Sequence, residues 1–268
     1  MNEHDTARRL RLLSFNMQVG VGTKRYREYL TRGWRHFLPS LQVQENLGRI
    51  AELVADYDIV GLQEIDAGSR RSAYRNQIEW LAGQAGFDFW YAQVNRDFGQ
   101  IAQHGLGLLS RFPPFEVTEH KLPGPIPGRG ALRALFGDPD DPLAVVVSHL
   151  ALTKGTRRLQ LAAITELLTD YRHAIVMADT NCVADRLRAD PALAAAGLQV
   201  QTQPVPTFPS WRPRRGIDHI LTTPGIGVRG VRAVEADLSD HLPVAMEVEL
   251  PDNVGALLDA ELRATGVV

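Results

Sequence analysis

Cysteine is all but missing from this sequence. Cys182 stands alone, so the chain cannot close a disulfide on itself, which suits a reducing compartment. Long apolar runs are missing too, none approaching the ~20 residues that a membrane-spanning helix needs. Residues 1–9 lack the apolar core of a signal peptide, and the cytoplasm is the expected location. Charge of one sign is not in excess: 29 Lys and Arg face 31 Asp and Glu, a net charge of -2. No global field therefore draws the molecule to nucleic acid or anionic lipid, and polyanion binding would rest on local basic patches. Internal repeats and low-complexity tracts are absent. So are the Gly-x-Ser-x-Gly elbow of serine hydrolases and the His-Glu-x-x-His helix of zinc proteases, and one cysteine cannot build a thiolate zinc cage.

What is present reads as an ordinary globular chain of 268 residues, 44% hydrophobic and 22% charged. Strand-like runs recur at about 9–16, 58–64, 87–94, 104–111, 114–122, 143–150, 174–179, 216–222, 228–235 and 242–250. Helical periodicity appears at about 46–57, 73–85 and 156–170, with Thr156 as the expected N-cap of the last. Many strands and few helices, without strict alternation, predict packed sheets covered by helices. The breaker cluster Pro123-Gly124-Pro125-Ile126-Pro127-Gly128 has strand-like text on both sides and reads as a loop. One domain over residues 1–268 is expected, with a core at about 10–250 and a tail at 251–268. Residues 18–45, rich in Arg, Tyr and Trp, form the longest stretch between an expected strand and an expected helix.

Polar residues end these apolar runs. Asn16 closes Leu12-Leu13-Ser14-Phe15, and Glu64 closes Ile59-Val60-Gly61-Leu62-Gln63. Asp179 and Asn181 follow Ile175-Val176-Met177-Ala178, Asp218-His219 opens another run, and Ser239-Asp240-His241 precedes the last. A carboxylate or carboxamide is costly to bury, so repeated polar endings predict one shared site on a sheet scaffold. Oxygen ligands suit a hard divalent cation, and imidazole suits proton transfer and anion contact. Asp179 and Asn181, two apart, would point to one side of an extended chain; an Asx-turn is the competing reading. His219 would face away from Asp218 and serve structure, and Cys182 reads as a small buried neighbour of the site rather than a nucleophile.

This series, Asn16, Glu64, Asp179-x-Asn181, Asp218-His219 and Ser239-Asp240-His241, resembles the endonuclease/exonuclease/phosphatase superfamily. His149, at the end of Val145-Val146-Val147-Ser148, also fits that resemblance as a phosphate-contacting histidine. The family's usual Gly-Asp-x-Asn has Ala178 in first place here, and residues 105–111 lack an Asn often seen in that strand. The resemblance implies a four-layered α/β sandwich: two packed mixed β-sheets flanked by helices. It implies Mg²⁺ or Mn²⁺ held by Asn16 and Glu64, with Asp240 near that metal or a second position. His149, Asp179, Asn181, Asp218 and His241 become the catalytic set. Asp179 and Asn181 would orient the attacking water, and Asp218 would fix the tautomer of His241; Asp179 and His241 are rival general bases.

Arginines cluster at Arg70-Arg71 with Arg75, at Arg129 with Arg133, at Arg157-Arg158 and at Trp211-Arg212-Pro213-Arg214-Arg215. An aromatic among arginines suits base stacking with phosphate contact, so Arg71, Arg129, Trp211 and Arg212 are the candidate substrate-binding residues, a solvated loop being the plainer reading. The expected activity is hydrolysis of a phosphodiester, nucleic acid first, by in-line attack of an activated water. A lipid or small-molecule phosphoester is the alternative. A binding module with a dead site is disfavoured because every catalytic position is filled.

Overall fold

A computed structural model of the chain describes residues 8–20, 41–69, 72, 74–97, 103–201, 203, 205–255 and 258. Among these described residues eleven strands lie in two sheets: β1 (Arg9–Asn16), β2 (Ile59–Asp66), β3 (Phe89–Asp97), β4 (Gln103–Ser110), β5 (Glu116–Lys121), β6 (Gly130–Phe136), β7 (Leu143–His149), β8 (His173–Asp179), β9 (Asp218–Thr222), β10 (Gly227–Ala233) and β11 (Val244–Glu249). The six-stranded sheet has the order β10-β11-β1-β2-β4-β3, and the five-stranded sheet the order β5-β6-β7-β8-β9. Both are mixed, since β1 and β2 pair parallel, as do β7 and β8, while their other neighbours run antiparallel.

The helices are α1 (Leu41–Val54), α2 (Gln77–Ala85), α3 (Lys154–Glu166), and the short α4 (Ala184–Arg188) and α5 (Pro191–Ala195). Three apolar clusters make the layers. One fills the space between the sheets, with Leu12, Ile59 and Met246 facing Val145, Val147 and Met177. A second packs Leu47, Ile50 and Ile78 of α1 and α2 on the outer face of the six-stranded sheet, and a third packs Leu161 and Ile164 of α3 on the other. The four-layered sandwich is therefore the fold. Burial is complete along β7 and β8, which is why both read as unbroken aliphatic runs rather than alternating ones. Gly61 sets the closeness of the sheets: a Cβ there would stand 3.0 Å from Met177 Cβ and 3.1 Å from Val147 Cγ2.

Expected and observed elements differ in places. Strand β6 was not expected, and it carries β5 onto the sheet by pairing with β7. Helix α1 starts earlier and α2 later than the periodicity predicts, the latter because Asn76 accepts from Ile78 N (3.1 Å) as the N-cap. The N-cap position of α3 is Thr153, not Thr156, which lies one turn inside with its hydroxyl accepting from Thr153 Oγ1 (3.0 Å). Most of residues 18–45 and of the tail lies outside the described residues.

Strand directions decide where the polar residues go. Chain sense brings the C-terminal ends of β1, β2, β7 and β8 to one edge. Antiparallel β9 and β11 bring their beginnings there, with Asp218 beside Asp179 and Val244 beside Ser14.

Candidate active site

Asn16 ends β1 and is buried. Its Nδ2 donates to Glu64 Oε1 (3.2 Å) and to Asp179 Oδ2 (3.0 Å), the second bond crossing from one sheet to the other. Its Oδ1 accepts from Gln18 N (3.2 Å), and its main-chain oxygen accepts from Ser239 Oγ (2.8 Å).

Glu64 is not at the strand end that the sequence suggested. It is the extra residue of a β-bulge, because pairing with β4 steps from Gln63↔Leu106 to Ile65↔Gly105. Its φ of 54° is left-handed, a conformation a glutamate adopts only under constraint from its surroundings. The bulge aims the carboxylate toward the edge of the sheet, partly exposed among buried neighbours.

On the facing sheet, His149 Nε2 lies 3.3 Å from Asp179 Oδ2 and 3.3 Å from Asn181 Nδ2, and Nδ1 lies 3.9 Å from Glu64 Oε1. Burial holds its pKa well below the ordinary imidazole range, aided by Arg129, His241 and His104, so His149 is neutral. Asn181 does not continue an extended strand. It turns left-handed (φ 51°), its N–H donates to Asp179 Oδ1 (3.0 Å) in an Asx-turn, and its Nδ2 donates to Leu150 O (3.0 Å). The turn, not strand alternation, puts the two side chains together.

His241 and Asp218 form a buried pair, with Nδ1 at 2.9 and 3.0 Å from the two carboxylate oxygens. Burial works against charge on the ring, but Asp218, with Asp179 and Asp240, outweighs it and lifts the pKa to about 10. His241 is thus an imidazolium near neutral pH, its Nε2 3.9 Å from Asp179 Oδ2. Burial, reinforced by Asp218, raises Asp179 to about 7 against the pull of His241 and Asn16. Asp240 is raised to about 6, by burial first and with a contribution from Glu64. The edge is crowded with carboxylates whose charge is poorly compensated.

That crowding is the test for a bound cation, and the donor set passes it. Glu64 and Asp240 offer carboxylate oxygens and Asn16 a carboxamide, the hard ligands that Mg²⁺ and Mn²⁺ take. In this structure the Asn16 amide hydrogens face the carboxylates and do part of a cation's work. Ligand atoms of Asp179, Asp218 and His241 also lie within 4.8 Å of one another, a geometry that can hold a metal. The proton on His241 Nδ1 already joins that ring to Asp218, so we read this trio as an ion pair with an extra carboxylate rather than as the cation site.

Two contributors, Thr207 and Phe208, were not expected from sequence. Thr207 is fully buried; its hydroxyl donates a short hydrogen bond to Asp218 Oδ2, and its carbonyl accepts from Leu242 N (2.9 Å). Phe208 lays its ring on His241, centroids 4.9 Å apart. Ser239 Oγ contacts Asp240 Oδ1 (3.3 Å) and accepts from His241 N (3.3 Å). Nothing local marks Thr207 or Phe208, which reach the site through a loop folded over β9. The His219 ring contacts Cys182 O (2.8 Å), and the Cys182 thiol is buried.

The arginine clusters fare unevenly. Arg71 lies outside the described residues. Arg129 lines a cavity whose floor includes Glu64 and His149. Trp211 and Arg212 are exposed on the loop whose Ser210 donates to Asp240 O (2.8 Å), so they flank the His241 side without entering that cavity. Arg157 is not part of a substrate patch, because its guanidinium is buried and donates to Ala151 O (3.3 Å), Leu152 O (3.0 Å) and Asn181 O (3.3 Å). Arg133 is likewise spent on Glu116 (2.9 Å) and the ring of Tyr171.

The family model described as "Endonuclease/Exonuclease/phosphatase family" matches residues 13–241, a span that takes in all of this edge. The chain belongs to that family. It is a hydrolase of the phosphoesterase class, and the family depends on a divalent metal. Among solved structures, an endonuclease/exonuclease/phosphatase from Beutenbergia cavernae is similar at a TM-score of 0.70 and 20% identity, covering 91% of this chain and 72% of that one. A family protein from Bacteroides thetaiotaomicron gives 0.70 at 17% identity over 91% and 99% of the chains. A mannosyl-6-phosphatase from the same organism gives 0.66 at 18% identity over 89% and 99%. At these identities the likeness is one of fold. No curated protein matches the chain. Among the described residues, no helix is long and apolar enough to cross a membrane.

Proposed function

We propose that the protein hydrolyses a phosphodiester by in-line attack of an activated water, with Asn16, Glu64 and Asp240 holding Mg²⁺ or Mn²⁺. The observation that carries this is the meeting of those residues with His149, Asp179, Asn181, Asp218 and His241 at one edge of both sheets. When bound, the ion would supply charge neutralisation at a phosphate oxygen. Asp179 takes the proton of the attacking water, since it is the carboxylate set between Asn16 Nδ2, His149 Nε2 and, at 3.9 Å, His241 Nε2. Asn181, turned onto His149, orients that water. His241, kept charged by Asp218, and His149 contact the non-bridging oxygens as they gain charge.

Nucleic acid is the substrate that the Trp211–Arg212 loop and Arg129 would suit, by stacking and phosphate contact. A small-molecule phosphoester is the second reading, favoured by the cavity of about 380 Å³ that opens directly beside Glu64 and His149. A panel of plasmid, abasic DNA, RNA, bis-p-nitrophenyl phosphate, sphingomyelin and phosphoinositides with Mg²⁺ tests the reaction. Hydrolysis of none of them would end the proposal.

A further inference from the structure

The cavity beside Glu64 and His149 is built rather than incidental. Its volume of about 380 Å³ falls in the small-molecule range, roughly 300–1,000 Å³. Two loops wall it: residues 123–129 between β5 and β6, and residues 150–153 between β7 and α3. One buried side chain on α3 holds both. Gln160 Nε2 donates to Pro123 O (3.0 Å), while its Oε1 accepts from Ala151 N (2.8 Å). Arg157 fixes the second loop further through the Ala151 and Leu152 carbonyls. Glycine lets lining side chains come close at two points. A Cβ on Gly124 would stand 2.7 Å from Thr156 Cγ2, and one on Gly130 only 2.1 Å from Asn95 Oδ1.

The lining is two-faced. Pro125, Ile126 and Leu152 give an aliphatic wall, and the last two are 69% and 75% exposed at its mouth. Asn95 and Thr153 put a carboxamide and a hydroxyl on the same space, and Arg129 sits toward His149. Aliphatic faces cover the flat sides of a saturated or planar ring, and neutral polar groups pair with hydroxyls at its edge.

We propose that this cavity is a preformed subsite for the organic part of the substrate, a single hydroxylated ring of glycosyl or nucleoside size esterified to the phosphate. This deepens the phosphoester reading and rests on it.

The test is a substrate panel with Mg²⁺ or Mn²⁺. It contains a hexose phosphate, a nucleoside monophosphate and glycerol phosphate, each free and as its methyl diester, with plasmid DNA beside them. The ring esters are expected to exceed the glycerol esters and plasmid at least tenfold in kcat/KM. The two ring types distinguish a glycosyl from a nucleoside occupant. Thr153→Trp, at an exposed rim position, fills the space without touching the core. It should lower kcat/KM for the better ring ester at least tenfold more than for the glycerol ester, mainly through KM. Gln160→Glu keeps the Ala151 tie, loses the Pro123 tie and should shift the same ratio in the same direction. Equal losses on ring and glycerol esters, or preference for plasmid, overturn the subsite while leaving the reaction standing. If no ester is hydrolysed, the reaction fails, and calorimetric titration with the same ring phosphates decides the subsite. Saturable binding weakened tenfold by Thr153→Trp sustains it, and no binding overturns it.

Discussion

Asn16 and Asp179 belong to different sheets, and the 3.0 Å hydrogen bond between the Asn16 amide and Asp179 Oδ2 is where the two halves of the site join. The pairs Asp218–His241 and Glu64–His149 cross the same gap. Each half alone is a row of strand ends; the chemistry exists only where they face.

Glu64 occupies a left-handed bulge position at φ 54°, where glycine relieves strain. Glu64→Gly should raise stability by about 1 kcal/mol, the typical penalty of a side chain in that conformation. It should also lower kcat by at least ~10²-fold if the carboxylate holds the metal, as loss of a charged ligand from such a site implies. Urea midpoints and turnover on one preparation check both; a destabilised but active variant contradicts the assignment.

His241→Ala should lose ~10²–10⁴-fold in kcat, the usual range for a proton-transfer or charge-bearing group at a reacting centre. Asp218→Asn should also fall strongly, since an amide does not hold the imidazolium. The double variant should be little worse than His241→Ala, because the two act as one unit. Near-normal turnover with a lowered melting temperature would show that His241 only secures the start of β11.

The pH dependence of stability has a definite sign above neutral pH. His241 is raised to about 10 in the folded protein, so its contribution is complete below the ordinary imidazole pKa and is lost as pH rises through about 10. Asp240, at about 6, and Asp179, at about 7, are also raised, so the folded state holds their protons more tightly than the unfolded chain does. Below neutral pH these two carboxylates are opposed by His149, whose depressed pKa makes stability grow as pH rises toward the ordinary imidazole range, so a net fall is expected only from about 7 toward 10, as His241 loses its proton. Urea midpoints in EDTA should decline between pH 7 and 10, and a flat or rising profile there would count against the raised pKa of His241.

Metal binding has a pH dependence of its own. A cation at Asn16, Glu64 and Asp240 replaces the proton on Asp240, so Mn²⁺ affinity by calorimetry should increase from pH 5 to 7 with proton release. EDTA should abolish hydrolysis, and Mg²⁺ or Mn²⁺ should restore it. Full turnover in excess chelator would remove the metal role from Glu64.

Gly61→Ala would drive a methyl group between the sheets, 3.0 Å from Met177 Cβ. A cost of about 1–3 kcal/mol is expected from overpacking. Thermal denaturation measures it, and a neutral result would mean that the sheets separate more easily than their packing suggests.

Much of this was legible in the chain. β1, β7, β8 and β11 stood out as aliphatic runs, and the residue ending or preceding each proved to share one edge. β6 was not legible, because Ala131, Leu132, Ala134, Leu135 and Phe136 neither alternate nor stand clear of the Pro and Gly residues before them. The bulge at Glu64 depends on how β4 pairs, which no local pattern in β2 encodes. For Asn181 the competing reading, an Asx-turn, is the one the structure holds, and the extended reading does not apply, since Asx-turns and strand ends share the same letters. Thr207 could not be found, because its value lies entirely in the carboxylate it meets after the loop folds back.

The narrow separation of the sheets at Gly61 has a bearing on how the protein would fail when warmed. Methionine and valine packed behind that glycine set the gap that Asn16 and Asp179 must span. A slight loosening of this interior would leave every strand paired within its own sheet, yet draw the two rows of site residues apart. Inactivation should then precede unfolding, with turnover lost several degrees below the temperature at which circular dichroism changes. The metal ligands Asn16, Glu64 and Asp240 all belong to the row of the six-stranded sheet, so the ion alone should leave this difference in place, and a bound phosphate that also reaches His149 across the gap should bring the two temperatures together.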